Sequence, residues 1–157
     1  MNRHLPPLLA AALITVSPGL AAHDDFAATF AAKTKADINF AQLMQIMQRA
    51  TSMILDGILA ENKEMTVLGA HLLDAHPAPA QGPGAAMVPE QREAFKNVMP
   101  AYDKVFHSAT ERLSVAASRG QWPQAYADYR EIMDACMACH ETWRPYALSR
   151  QQTAGKR

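Results

Sequence analysis

Both cysteines of the chain fall within five residues, Cys136-Met137-Ala138-Cys139-His140. On a helix, residues i, i+3 and i+4 share one face. This order would therefore set two thiols and an imidazole side by side. It is the C-x-x-C-H pattern of c-type haem attachment. Cys136 and Cys139 can reach two vinyl groups on one porphyrin edge and form thioethers, and His140 points to the iron as proximal ligand. Other chemistries fit these residues less well. A thioredoxin-like redox pair wants a β-α-β setting, and the sequence has no convincing strand alternation. A zinc site needs further ligands close by, and there is no second cysteine pair. A bare C-x-x-C-H would leave reactive thiols in an oxidising compartment. One covalently attached haem c is the expected cofactor. No catalytic residue set is read from the chain, so no enzyme activity is expected.

Such a haem needs helices to wall it. Phe40, Met44, Met47, Thr51, Ile54 and Ile58 recur at helical steps, and Leu43, Ile46, Ala50 and Met53 form a second apolar face. The spacing predicts a first helix over about Ala36 to Leu59, buried on two sides. A second runs from about Lys63 to Ala75, ended by Pro77, which disfavours helical geometry in the residue before it. Residues 77–89 read as a loop, and Pro89 to Asn97 as a short helix. Pro100 then restarts the chain. The third long helix carries Tyr102, Val105, Phe106, Ala109, Leu113 and Ala116, with Gly120 at its C-terminal cap. Pro123 opens the fourth, whose stripe is Ala125, Tyr129, Ile132, Cys136, Cys139/His140, Trp143 and Ala147. The expected fold class is all-α, an antiparallel four-helix bundle with the haem on its C-terminal helix.

Residues 1–22 read as a secretory signal peptide. Arg3 gives a positive start, Leu5 to Val16 is an uncharged and mostly apolar run, and Leu20-Ala21-Ala22 ends in small residues. That run is shorter than the roughly 20 residues of a spanning helix. Cleavage is expected near Ala22, with the bundle in 23–150 and a tail in 151–157. The reading makes the protein periplasmic, without a membrane span in the mature chain. Fifteen basic residues balance fifteen acidic ones. That neutrality gives no reason to expect nucleic acid as a partner.

The motif lies near the C-terminus, and no methionine or histidine follows His140. That order excludes the common small cytochrome c, whose methionine ligand lies downstream of an N-terminal motif. Cys136-x-x-Cys139-His140-x-x-Trp143-Arg144, on the last of four helices, instead resembles the cytochrome c′ family, the class II c-type cytochromes. The resemblance is strong in these nine residues; over Ala36 to Arg144 it rests on helix order and length. It implies a first-helix residue over the open iron face, and counting back from the helix end puts Met44 there. In one branch that methionine is a sixth ligand and the haem is low-spin. In the other the residue is apolar and the site stays open. Phe40, one turn earlier, stands where the family often has arginine.

Met44 is therefore a sixth ligand, a non-ligating haem contact, or core. Met47, one turn along, is the second candidate. Trp143 and Tyr129 read as haem-packing residues or ordinary core. Arg144 reads as a propionate neighbour or a solvated arginine. His71, His76 and His107 read first as surface or hydrogen-bonded helix histidines, with bis-histidine ligation a minor option. Two functions follow: electron transfer with a redox partner protein, or a five-coordinate haem protein binding small gases (NO/CO). A haem-bearing module of a larger redox complex is a third, weaker reading. The double apolar face of the first helix permits a homodimer as well as a monomer.

Overall fold

The computed structural model describes residues 35–148. The expected signal peptide, its cleavage site and the tail from 151 lie outside the described residues. Four helices form an all-α bundle: α1 (Phe40–Leu59), α2 (Lys63–Asp74), α3 (Arg92–Ser118) and α4 (Trp122–Trp143). No helix among the described residues is long and apolar enough to cross a membrane.

Each helix end has a local cause. α1 starts four residues later than its apolar spacing suggests, because Asn39 caps it. The Asn39 side chain accepts from the Gln42 N–H at 2.9 Å, and the Gln42 side chain accepts from the Asn39 N–H at 2.8 Å. This reciprocal pair is a capping box. Upstream, β1 (Lys35–Ala36) pairs in parallel with β2 (Ala78–Pro79), so Ala36 belongs to a two-residue strand and not to the helix. Asn62 caps α2 by accepting from the Met65 N–H at 2.9 Å. At the end of α3, the Gln121 N–H donates to the Ala116 carbonyl and the Gly120 N–H to that of Ala117, both at 2.9 Å. That is a Schellman cap, and Gly120 takes the left-handed φ of 70° that it requires.

Two proline expectations need correction. Pro100 does not restart the chain: α3 runs unbroken from Arg92 to Ser118 with Pro100 inside it. Proline removes one helical donor. The carbonyl left without it belongs to Lys96, which is exposed. On either side of the proline Phe95, Asp103 and Phe106 are buried, so packing holds the helix through the defect. The second correction concerns Ala147, which lies off α4. The helix stops at Trp143, and Arg144–Tyr146 forms a 3-10 turn around Pro145.

The main core joins all four helices through Ile54, Leu73, Leu113 and Ile132, each 0 % exposed, and through Ala109, Ala117 and Ala125. α1 packs most closely on α2, and α3 on α4, whereas α1 meets α4 sparsely. The α1–α2 crossing depends on Gly57: a Cβ there would lie 2.7 Å from the Thr66 backbone nitrogen. On the α3–α4 side, the Arg112 Nε donates to the nearly buried Asp128 carboxylate at 3.1 Å, and its Nη2 to Glu131. These acceptors raise the Arg112 pKa, the Asp128 hydrogen bond most.

Residues 77–89 are more than a loop. After β2, the chain makes 3-10 turns at Pro83–Ala86 and Pro89–Gln91. Met87 bridges Ala147, the Val88 N–H donates to the Tyr146 carbonyl at 3.0 Å, and the Leu148 N–H donates to that of Ala86 at 2.7 Å. This segment fastens the end of the chain across the start of α3.

Candidate functional site

Cys136, Cys139 and His140 lie in the last third of α4. Both cysteines are free thiols and half-buried, while His140 is exposed. The helix delivers the shared face that the spacing requires. Burial pushes both thiols above the ordinary range, and for Cys136 the neighbouring Cys139 adds to the rise. Near neutral pH both are therefore protonated.

The two thiols touch different apolar clusters. Cys136 packs against the main core, as does Met47 of α1. Cys139 packs against a second cluster of Ala86, Met87 and Phe95, which also takes in Phe40 of α1, Met99 and Trp143. Aromatic edges bind this second cluster: Phe40 meets Phe95 with ring centres 5.9 Å apart, and Phe95 meets Trp143 at 5.3 Å. Edge-to-face pairs of this kind are favourable because a ring's positive edge meets a negative face.

Phe40 packs on the same small cluster as Cys139, and Met47 on the main core, which also takes in Cys136. Met44 lies between Phe40 and Met47 on the same stripe, one turn from each. It is half-buried and belongs to neither cluster.

Trp143 is half-buried, and its Nε1 is the one buried side-chain nitrogen or oxygen among the described residues without a hydrogen-bond partner. Arg144 follows it, exposed, in the 3-10 turn. Tyr129 belongs to the main core, 9 % exposed, with its pKa raised chiefly by burial. It shares that core with Cys136 of the motif. His71 is exposed on α2. His107 is a hydrogen-bonded helix histidine, as expected, and His76, just past α2, is hydrogen-bonded too. His76 is buried, and His107 Nδ1 lies 2.6 Å from Asp74. Phe95 and Met87 escaped the sequence reading because their role depends on residues 77–89 folding back over α3, which no local spacing signals.

These residues fit a covalently bound haem on four counts. The thiols are reduced and share a face. Their surroundings are apolar. An imidazole follows on the same helix. The orphaned Trp143 Nε1 is a buried donor suited to an acceptor, and haem carries carboxylates.

The comparisons with known proteins bear on the fold. No protein-family model matches the chain, and no curated protein matches it. Among solved structures, that of cytochrome c′ from Thermochromatium tepidum is similar, with a TM-score of 0.52 and 19 % sequence identity. The likeness covers 69 % of this chain and 98 % of that one. At that identity it establishes a shared four-helix fold.

Proposed function

We propose that this chain is an exported, periplasmic c-type cytochrome that carries one haem c and works in electron transfer. Cys136 and Cys139 hold the haem, His140 is the proximal ligand, and Met44 is the sixth ligand. The reading rests on the C-x-x-C-H motif of α4, and the fold shared with a cytochrome c′ supports it. The observation that carries it furthest is the half-buried place of Met44 on α1, one turn from Phe40, which packs on the same small cluster as Cys139.

When bound, haem supplies the one-electron iron couple, and the residues set its behaviour. Cys136 and Cys139 would hold the haem as thioethers, each thiol giving its sulfur and hydrogen to one vinyl C=C with no oxidant consumed. Burial keeps both thiols protonated. A thioether from Met44 favours reduced iron and raises the potential. The second cluster keeps water from one side of the site, and its Trp143 N–H can donate to a haem carboxylate. On this reading the chain itself transforms no substrate, and its partner is a redox protein.

The test is direct. After denaturing electrophoresis, the protein should stain for haem, and the Cys136→Ser/Cys139→Ser variant should not. An unstained wild type would end the proposal. In the oxidised protein, the reading expects a low-spin absorption spectrum with a weak sulfur-to-iron band. A high-spin spectrum, with ready carbon monoxide or nitric oxide binding after reduction, would assign the gas-binding alternative instead.

A further inference from the structure

A second group of chemically capable side chains lies away from the cysteine motif, where the end of α2 meets α3. His76, Asp103 and His107 each present one ligand atom, and these atoms all lie within 4.8 Å of one another. Asp103 and His107 are i and i+4 on α3, a spacing that puts both on one helix face. His76 comes from the segment just past α2, where Pro77 ends the helix. Its ring stacks on that of His107, with centres 5.8 Å apart and planes 17° from parallel, and its edge meets Phe106 at 6.3 Å.

The geometry points to a divalent transition-metal site of the zinc class, built from one imidazole nitrogen each of His76 and His107 and a carboxylate oxygen of Asp103. Three observations converge on it. The first is spacing. Two ligands of a tetrahedral zinc ion, at roughly 2.0–2.2 Å from the metal, stand about 3.3 Å apart. His107 Nε2 and Asp103 Oδ1 are 3.3 Å apart. The second is outer-shell support. A histidine that binds a metal usually gives its other ring N–H to a carboxylate or a backbone carbonyl. His107 Nδ1 lies 2.6 Å from Asp74 Oδ1, and His76 Nδ1 lies 3.3 Å from the Pro77 carbonyl. Both kinds of support are present. The third is burial: His76 and Asp103 are buried and His107 is partly open. Two ligands are thus held in place, with an approach from solvent on the third side.

The donor set defines the ligand. Two imidazoles and one carboxylate suit zinc or copper(II), whereas magnesium and calcium prefer all-oxygen sites. Three protein ligands leave a fourth position for water. A bound ion would clip the end of α2 to the middle of α3. None of these residues belongs to the Cys136–His140 motif, so the proposal stands apart from the haem reading.

Equilibrium dialysis of the chelator-treated full chain against Zn²⁺, with metal analysis, tests it. One Zn²⁺ per chain is expected, and an equal amount in Cys136→Ser/Cys139→Ser, which excludes the motif as the binder. His71→Ala, on the exposed face of α2, should bind as the wild type does. His107→Ala should lose the ion. Asp74→Asn, an exposed change that leaves the fold in place, should weaken binding about 10- to 100-fold. The zinc X-ray absorption edge of the wild type should show two imidazoles. No stoichiometric zinc, equal binding by His107→Ala and His71→Ala, an Asp74→Asn affinity like the wild type's, or an edge without two imidazoles would each overturn the site.

Discussion

The two apolar clusters are built on different terms. The main core is closed by its own side chains: Ile54, Leu113 and Ile132 are fully buried, and alanines on α3 and α4 let the backbones approach. The second cluster has only three buried members, Ala86, Met87 and Phe95, ringed by half-buried Phe40, Met99, Cys139 and Trp143. It also holds the one orphaned buried side-chain donor among the described residues. An unpaired buried N–H costs about 1–3 kcal/mol, and a carboxylate of the proposed haem would satisfy it. The contrast separates a region closed by its own side chains from one with a buried donor left over, beside the proposed haem attachment.

That contrast can be broken by substitution. The largest effect is expected in the first region. Gly57→Ala would push a Cβ to 2.7 Å from backbone of α2, which cannot move aside as a side-chain tip would. A loss of about 3 kcal/mol is expected in chemical denaturation, near the top of the range for overpacking. Arg112→Ala comes next. Asp128 is 5 % exposed and would lose its main charged donor, but Arg112 is itself 46 % exposed and solvent screens the pair. A loss of about 1–2 kcal/mol is expected, below that of a fully buried pair.

In the second region Trp143→Phe should behave differently. Without haem it removes both the orphaned donor and some packing, so stability should change by less than about 1 kcal/mol. The haem-bearing protein should show a shifted reduction potential, since a donor to the haem is lost. A large stability loss without a potential shift would make Trp143 ordinary core.

The smallest effect is on pH dependence. Burial raises both thiols in the folded chain. Above the ordinary thiol range, the unfolded chain therefore holds fewer protons than the folded one, and stability falls as pH rises. Below that range both states are protonated and the thiols contribute no slope. Haem-free chain should lose stability in alkaline unfolding scans, and the Cys136→Ser/Cys139→Ser variant should lose less.

Sequence reached the bundle and the motif because both are local. The helical spacing of Phe40 to Ile58, the Gly120 cap and Pro123 at the start of α4 each act within a few residues. The Asn39–Gln42 capping box was also legible, as an N-x-x-Q signature, and would have placed the start of α1 correctly. Pro100 misled because the rule for proline weighs one lost donor and a clash, whereas tertiary packing of Phe95 and Phe106 outweighs them. The closing segment at 77–89 and the His76–Asp103–His107 group were hidden for another reason. Each joins residues far apart in the chain, and only the Asp103–His107 half of the latter has a local spacing.

The place of Met44 tests the account most directly, through the absorption spectrum of Met44→Ala. Met44 belongs to neither packed cluster, so the variant should fold. The account predicts that the oxidised wild type is low-spin and that Met44→Ala is high-spin and binds carbon monoxide when reduced. An unchanged low-spin spectrum in Met44→Ala would contradict it and move ligation to Met47 or a histidine.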